Sequence, residues 1–346
     1  MKTMLLAVLT VIFLLVVIAV TIGWWLSAPT YKGPPTFNFD GSKFINREGY
    51  EEKKFRELLA WSFKREPGAW PELTTDDVSY GAKPLARITD STQVITYVNH
   101  STFLIQTDSL NILTDPVWSK RVSPFSFAGP KRMRPPGIRF KDLPTIDYVL
   151  LSHNHYDHLD VNTINALEEA HQPTFIVPLG IDLYLKKLGV KKSIALNWWE
   201  GTQLSESVRV DAVEAQHFSS RGMFDRDKTL WAGFVLQSGN GNIYFAGDTG
   251  YNTFFTEIGK RYAPIKTAII PIGAYIPRWF MGPVHVDPAQ AVQIHHDVKA
   301  ELSIGMHFGT FPLADDGKEQ PLIELENALK GENFIVIEEG KHILIQ

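Results

Sequence analysis

The run Ser152-His153-Asn154-His155-Tyr156-Asp157-His158-Leu159-Asp160 sets three imidazoles and one carboxylate within six positions. Imidazole nitrogen together with carboxylate oxygen is the ligand set of zinc or a similar borderline divalent cation. Side chains alternate in extended chain, so His153 and His155 point the same way and can share one ion. Asp157 and His158, past a turn, are free to reach a second. The competing reading is a polar loop whose histidines cap the helix that follows. Four potential ligands in so short a stretch are hard to explain as solvated surface.

Two ions need more than four ligands, and the chain supplies further ones at the ends of other apolar runs. His217 follows the run 208–213, Asp248 follows 242–247, and His307 follows 302–306. Taken singly, each has the ordinary reading of a satisfied structural residue. Together with the dense motif they make a set of seven.

Elements that would hold these residues are legible as strands and helices. Apolar runs 94–97, 103–106, 110–113, 148–151, 174–177, 208–212, 229–236, 243–246, 267–272 and 302–305, bounded by turn residues, predict short strands. Helical stretches 161–170, 180–188 and 288–298 alternate with them, the last opening on Asp287 as N-cap and Pro288 at the first helical position. This is a mixed α/β chain, and one domain over 88–346 is the simplest partition.

The remainder of the chain bounds location and chemistry. Of 346 residues 44% are hydrophobic and 21% charged, an ordinary globular balance, and a net charge of -4 gives a nucleic-acid partner no electrostatic support. With no cysteine, thiolate ligands and disulfides are excluded, so any metal must be held by His, Asp, Glu or backbone. Residues 4–26 carry no charge and are long enough to cross a hydrocarbon core of about 30 Å, ending in Trp24-Trp25 at interface depth. An uncleaved anchor over 1–27 is the reading taken, with a cleavable secretory signal as the alternative. Lys2 on one side and Lys32, Lys43 and Arg47 on the other leave its orientation open. Pro29, Pro34 and Pro35 predict a stiff linker over 28–50. Within an extension over 51–87, Phe55, Leu58, Leu59 and Phe63 give 51–64 helical periodicity. Its apolar stripe suits either an anionic membrane surface or the face of the following domain.

The pattern His153-x-His155-x-Asp157-His158 with His217, Asp248 and His307 resembles the metallo-β-lactamase superfamily. Around it, Leu113-Thr114-Asp115-Pro116, Gly129-Pro130-Lys131-Arg132, Ala246-Gly247-Asp248-Thr249-Gly250-Tyr251, Arg278-Trp279-Phe280-Met281 and His285-Val286-Asp287-Pro288 resemble one branch, the N-acyl-phosphatidylethanolamine-hydrolysing phospholipase D family. The resemblance implies a four-layered αββα sandwich with two metals, zinc first among other divalent ions, at the edge of its sheets. One would be held by His153, His155 and His217, the other by Asp157, His158 and His307, with Asp248 bridging. Two departures stand out: Tyr97-Val98-Asn99-His100 stands where many relatives have a Trp-x-Gly-His signature, and Val284 precedes His285 where the animal enzymes carry a polar residue.

Two cations against two carboxylates leave a positive site suited to an anionic phosphodiester. The implied reaction is phospholipase D-type hydrolysis of N-acyl-phosphatidylethanolamine or a related membrane phospholipid to N-acylethanolamine and phosphatidate. The alternative is a lactonase or phosphodiesterase acting on a soluble substrate. Catalytic expectations fall on Asp248 and His285. Substrate contacts are expected from Tyr156, His285, Lys131 and Arg132, and from an acyl groove of Trp118, Phe125, Phe127, Tyr275, Trp279 and Phe280. The expected setting is a bilayer, a bacterial inner membrane with its side undetermined, and a homodimer is compatible with it.

Overall fold

The structure, a computed structural model, describes residues 1–48, 50, 52–71 and 80–346. The expected helix start at Glu51 and part of the extension, 72–79, lie outside the described residues. Strands β1 (Gln93–Asn99), β2 (Thr102–Thr107), β3 (Leu110–Thr114), β4 (Tyr148–Leu150), β5 (Thr174–Pro178), β6 (Ser193–Leu196), β7 (Gly201–Gln203), β8 (Arg209–Val213), β9 (Gly233–Gln237), β10 (Asn242–Phe245), β11 (Ile265–Pro271), β12 (Ala300–Met306), β13 (Phe334–Ile335) and β14 (His342–Ile345) form two sheets. Their orders are β14-β1-β2-β3-β4-β5-β6 and β13-β12-β11-β10-β9-β8-β7.

Period-two alternation decides which face of the first sheet meets what. Phe103, Ile105, Ile112, Leu150 and Ile176 are buried in one cluster with Val210, Phe234, Ile243, Phe245 and Ile269 of the second sheet. Their neighbours in sequence, Leu104, Leu113, Val149, Phe175 and Val177, cluster instead with Ile164 and Leu167 of α3 (Val161–Ala170) and with Ile181 and Leu185 of α4 (Ile181–Lys187). On the far side α5 (Phe254–Tyr262) and α7 (Pro288–Asp297) join the second sheet's cluster through Phe255, Ile258, Ala291 and Ile294. The layer order is therefore α-β-β-α, as the resemblance implies. At about 1.5–3 kcal/mol for each fully buried large side chain, this double-sided burial is the main stabilising term.

Helix α1 (Lys2–Leu26) is long and apolar enough to cross a membrane by length and composition, and its 18-residue window of highest hydropathy is 0% buried. The proline-bearing stretch after it is not a bare spacer. Phe39 and Phe44 are buried in the main core, where their rings pack on each other and on Tyr31, so this segment is stapled to the sandwich. Helix α2 (Phe55–Phe63) packs on the domain through Trp61, which stacks on Phe280 at 5.0 Å and donates to Asp315 at 2.8 Å. Phe280 belongs to α6 (Arg278–Met281), and α8 (Gln320–Ala328) follows the loop that carries Asp315.

Candidate metal centre

Strand direction explains why distant residues meet. In the first sheet β1, β3 and β4 run parallel to one another; in the second β8, β10 and β12 do. Six carboxyl ends therefore lie at one edge of the sandwich. They deliver His100 after β1, Asp115 after β3, the 152–158 loop after β4, His217 after β8, Asp248 after β10 and His307 after β12. Three of these residues turn the chain at once with positive φ: His100 at 49°, Asp115 at 33° and His307 at 62°. Left-handed backbone is uncommon for residues with a Cβ and concentrates where geometry serves a site. A backbone bond from His307 N to His100 O, 2.8 Å, ties the two sheets together at this point.

Two groups of side chains converge. His153 Nε2 lies 2.8 Å from His155 Nδ1, which lies 3.3 Å from His217 Nε2. On the other side Asp157 Oδ2 lies 3.2 Å from His158 Nε2, 3.3 Å from His307 Nε2 and 3.0 Å from His100 Nε2. Asp248 stands between them. Its Oδ2 is 3.0 Å from His307 Nε2 and 3.2 Å from His158 Nε2, and 3.9 and 4.0 Å from His217 Nε2 and His153 Nε2.

These separations suit cations. Two ligand atoms sharing one tetrahedral ion at about 2.0–2.1 Å stand roughly 3.3 Å apart, close to most of the distances above. Buried polar atoms also point the same way, since His158 Nε2 and Asp248 Oδ1 have no hydrogen-bond partner. Leaving such atoms unmet costs free energy, and a cation would satisfy them. The cluster can hold metal.

Outer partners orient the rings. Asp115 Oδ2 lies 2.7 Å from His158 Nδ1 and accepts the Ser152 hydroxyl at 2.5 Å, while Ser152 Oγ lies 2.9 Å from His153 Nδ1. Val284 O lies 3.0 Å from His217 Nδ1. Each contact turns an Nε2 toward the centre, which fixes ring orientation and raises ligand basicity. Asn46, from the segment after α1, clamps the His217 backbone by donating to its carbonyl at 3.0 Å.

Charge follows this geometry. Burial holds His153 and His217 well below the ordinary histidine value and takes His155 to about 3 and His285 to about 4, so all four are neutral near pH 7. Burial would raise Asp157 and Asp248, yet the His158 charge beside them holds both well below the usual carboxylate range. Burial likewise opposes charge on His158 and His307, but Asp248 and Asp157 raise the first well above its ordinary value and the second to about 9. The two carboxylates draw positive charge to one point.

All seven residues of the expected ligand set meet here, and His285 joins them with Nδ1 3.9 Å from Asp248 Oδ2 and its ring 5.2 Å from that of His217. Tyr156 lies on the rim, its hydroxyl donating to Arg221 O at 2.9 Å. Lys131 is exposed. Arg132 is turned inward instead: it donates to Ser119 O, Asn99 Oδ1 and Val117 O and sits 4.8 Å from the Phe311 ring. Those bonds make it a brace for its loop rather than a free hand for a ligand. Of the six aromatics, Trp118 packs edge-on against Phe140, Phe280 stacks on Trp61, and Phe125 pairs with Phe127, so these four face different neighbours. Sequence reasoning passed over His100 and Asp115 as site residues. The signal was present, because each follows an apolar run as His217 and His307 do.

Comparison with known proteins bears on family and fold. Residues 110–308 match the Beta-lactamase superfamily domain family. The chain is 36% identical over 263 residues to N-acyl-phosphatidylethanolamine-hydrolyzing phospholipase D 1 of Caenorhabditis elegans, covering 71% of this chain and 74% of that protein. It is 35% identical over 316 residues to an uncharacterized protein of Mycobacterium tuberculosis, covering 89% of this chain and 82% of the relative. Among solved structures, Igni18, a metallo hydrolase from Ignicoccus hospitalis, superposes with a TM-score of 0.57 at 23% identity, over 74% of this chain and 99% of that one, a likeness of fold. Fold, family match and relatives converge: the chain belongs to the metallo-β-lactamase superfamily, in its N-acyl-phosphatidylethanolamine-hydrolysing phospholipase D-like family, and is a metal-dependent hydrolase.

Proposed function

We propose that this chain is a membrane-anchored phosphodiesterase of phospholipase D type. It hydrolyses N-acyl-phosphatidylethanolamine or a related phospholipid to N-acylethanolamine and phosphatidate. In this reading His153, His155 and His217 hold one divalent cation, Asp157, His158 and His307 hold a second, and Asp248 is shared. Zinc suits a donor set of imidazole and carboxylate with no thiolate. The observation that carries the proposal is the position of Asp248 Oδ2, within 4.0 Å of imidazole nitrogens from both groups. Bound cations would supply positive charge for developing phosphoryl oxygens and acidify water.

The chain's own residues do the rest. Asp115 and Ser152 keep the His158 and His153 rings aimed at the centre, so little reorganisation is needed when charge develops. His285, neutral and with Nδ1 unpartnered, is placed to hydrogen-bond a phosphoryl or leaving-group oxygen of the substrate. A lipid substrate is favoured by the relative in Caenorhabditis elegans and by α1, which would hold the domain at a bilayer.

The test combines metal analysis of the purified chain with mass spectrometry of products from a mixed phospholipid extract. Two equivalents of metal and release of N-acylethanolamines with phosphatidate are expected. Metal-dependent turnover of soluble lactones or phosphodiesters, with no lipid product at an interface, would replace the lipid substrate by the soluble one.

A further inference from the structure

We propose that the base of α1 and the loop carrying Tyr156 form a binding site for the phosphate of an anionic phospholipid headgroup. This site is separate from the metal cluster and rests on reading α1 as the membrane span. It follows from how the helix end is seated, which charges surround it and what those charges lack.

The end of α1 is docked on the domain. Gly23 is buried, and Met223 N donates to its carbonyl at 3.3 Å. A Cβ at Gly222 would fall 2.5 Å from Gly23 O and 2.4 Å from Ser27 Oγ, so only a residue without a side chain lets helix and loop approach this closely. Ser27 Oγ then accepts from Phe224 N at 3.2 Å, and the buried Ala28 N donates to Asp225 Oδ2 at 2.7 Å. Trp24 and Trp25 stay exposed, at the depth where aromatic rings meet headgroups. Beside them Met223 and Phe224 are exposed too, as expected of a loop touching the same interface.

At this junction lies an open cavity of about 290 Å³ whose border includes Trp25, Leu26, Arg121, Tyr156, Lys187 and Arg221. Three of the residues on its border are cations, and among the described residues none of them forms an ion pair. Lys187 Nζ reaches only the Trp25 carbonyl, at 3.3 Å. Arg221 is buried, its guanidinium lying 4.0 Å over the Tyr156 ring and 5.1 Å from that of Tyr184. It donates through one nitrogen to Asn154 O and Leu159 O, and its Nε has no partner. A buried guanidinium without a carboxylate is costly unless an anion completes it.

The acids nearby are committed. Asp160, also on the cavity wall, receives five bonds, from Trp118 N, Ser119 N, Ser119 Oγ, Asn162 N and Thr163 Oγ1. Asp225 receives Ala28 N, Arg221 N and Gly222 N. Three cations facing one carboxylate leave an excess of positive charge at headgroup depth. A phosphodiester with a neutral alcohol matches that excess, whereas a choline or ethanolamine group would bring its own cation against it.

The experiment uses the full chain with its metal in detergent micelles, titrated calorimetrically with dihexanoyl phosphatidylglycerol, dihexanoyl phosphatidylcholine and inorganic phosphate. Phosphatidylglycerol should bind at least tenfold more tightly than phosphatidylcholine. The Arg121→Gln/Lys187→Gln double substitution should weaken phosphatidylglycerol at least tenfold, with metal content unchanged. Equal binding of the two lipids, or no effect of the double substitution, overturns the site. Inorganic phosphate binding as tightly as phosphatidylglycerol overturns the lipid source. A chain that cleaves no phospholipid yet shows the lipid discrimination would sink the proposed substrate and leave this site standing.

Discussion

Asp115 and His158 are 43 positions apart in the chain and 2.7 Å apart in space, carboxylate Oδ2 against imidazole Nδ1, both fully buried. That contact aims His158 Nε2 at Asp157 and Asp248. Through Ser152 the same carboxylate also steadies His153, so one residue at the end of β3 governs a ring in each half of the cluster. Replacing Asp115 by Asn keeps the size but removes the charge. It should weaken metal binding about 10- to 100-fold. Metal retention against a buffered zinc series measures this, with circular dichroism checking that the fold stays. Ser152→Ala, which touches only the His153 branch, should cost less.

Asp248 offers one oxygen to both groups of histidines. Asp248→Asn should reduce bound metal from two equivalents toward one and lower hydrolysis by at least about 100-fold, the range for losing an electrostatic group at a reacting centre. A variant that kept two equivalents and full turnover would remove the bridging role.

Removing metal should loosen the edge of the sandwich more than its core. Ligand linkage at free ion about 1,000 times Kd is worth roughly 4 kcal/mol, which for a chain of this size corresponds to about 10 °C in Tm. Chelation followed by calorimetry should show that fall, and added zinc should reverse it. Hydrogen exchange should report the loss first in the 152–158 loop.

His100 stands against Asp157 at 3.0 Å with its other ring nitrogen unpartnered. Burial takes its pKa down to about 3, so at pH 7 it is a neutral donor to the carboxylate. His100→Phe should leave the fold in place but free Asp157 to move. Affinity for the second equivalent of metal should drop while the first is retained, which a two-site titration separates.

Asp227 gives a pH-dependent signal away from the cluster. Burial raises its carboxyl to about 6, with Arg226 opposing. A folded-state value above the unfolded value of about 3.9 means the native chain binds the proton more tightly. Stability from this group is therefore full below about pH 4 and lost as pH rises to about 6, by roughly 2–3 kcal/mol. Asp227→Asn should flatten the difference, read as urea midpoints between pH 4 and 7.

The local pattern of residues carries much of the architecture. Apolar runs with turn residues at their ends mark ten of the strands, since a strand buried on both faces needs a continuous apolar stretch whatever it pairs with. Asp287 marks the start of α7, because a short side-chain acceptor meets the free N–H groups of the first turn locally, and in the structure Asp160 does the same for α3. The short strands β6, β7, β13 and β14 left no such mark. They lie at or next to sheet edges, where pairing with a neighbour rather than their own composition makes them strands. Helix α5 was hidden for a related reason: Phe254, Phe255, Ile258 and Tyr262 make a broad apolar face that is easily taken for loop aromatics.

Read along the chain alone, the residues display the candidate ligand types, their dense spacing at 153–158, the absence of thiolate and the uncharged span before residue 27. Those are properties of neighbours along the chain, and neighbours are what a sequence displays. Folding alone brings Asp115 and His100 into the cluster, commits Arg132 to Ser119 O, Val117 O and Asn99 Oδ1, and lets Asn46 and Phe39 tie the stretch after α1 into the domain. It also sets the end of α1 beside Tyr156. Each of those outcomes depends on parallel strands ending at one edge, and on side chains far apart in sequence competing for the same few buried donors and acceptors. No local pattern can report that competition.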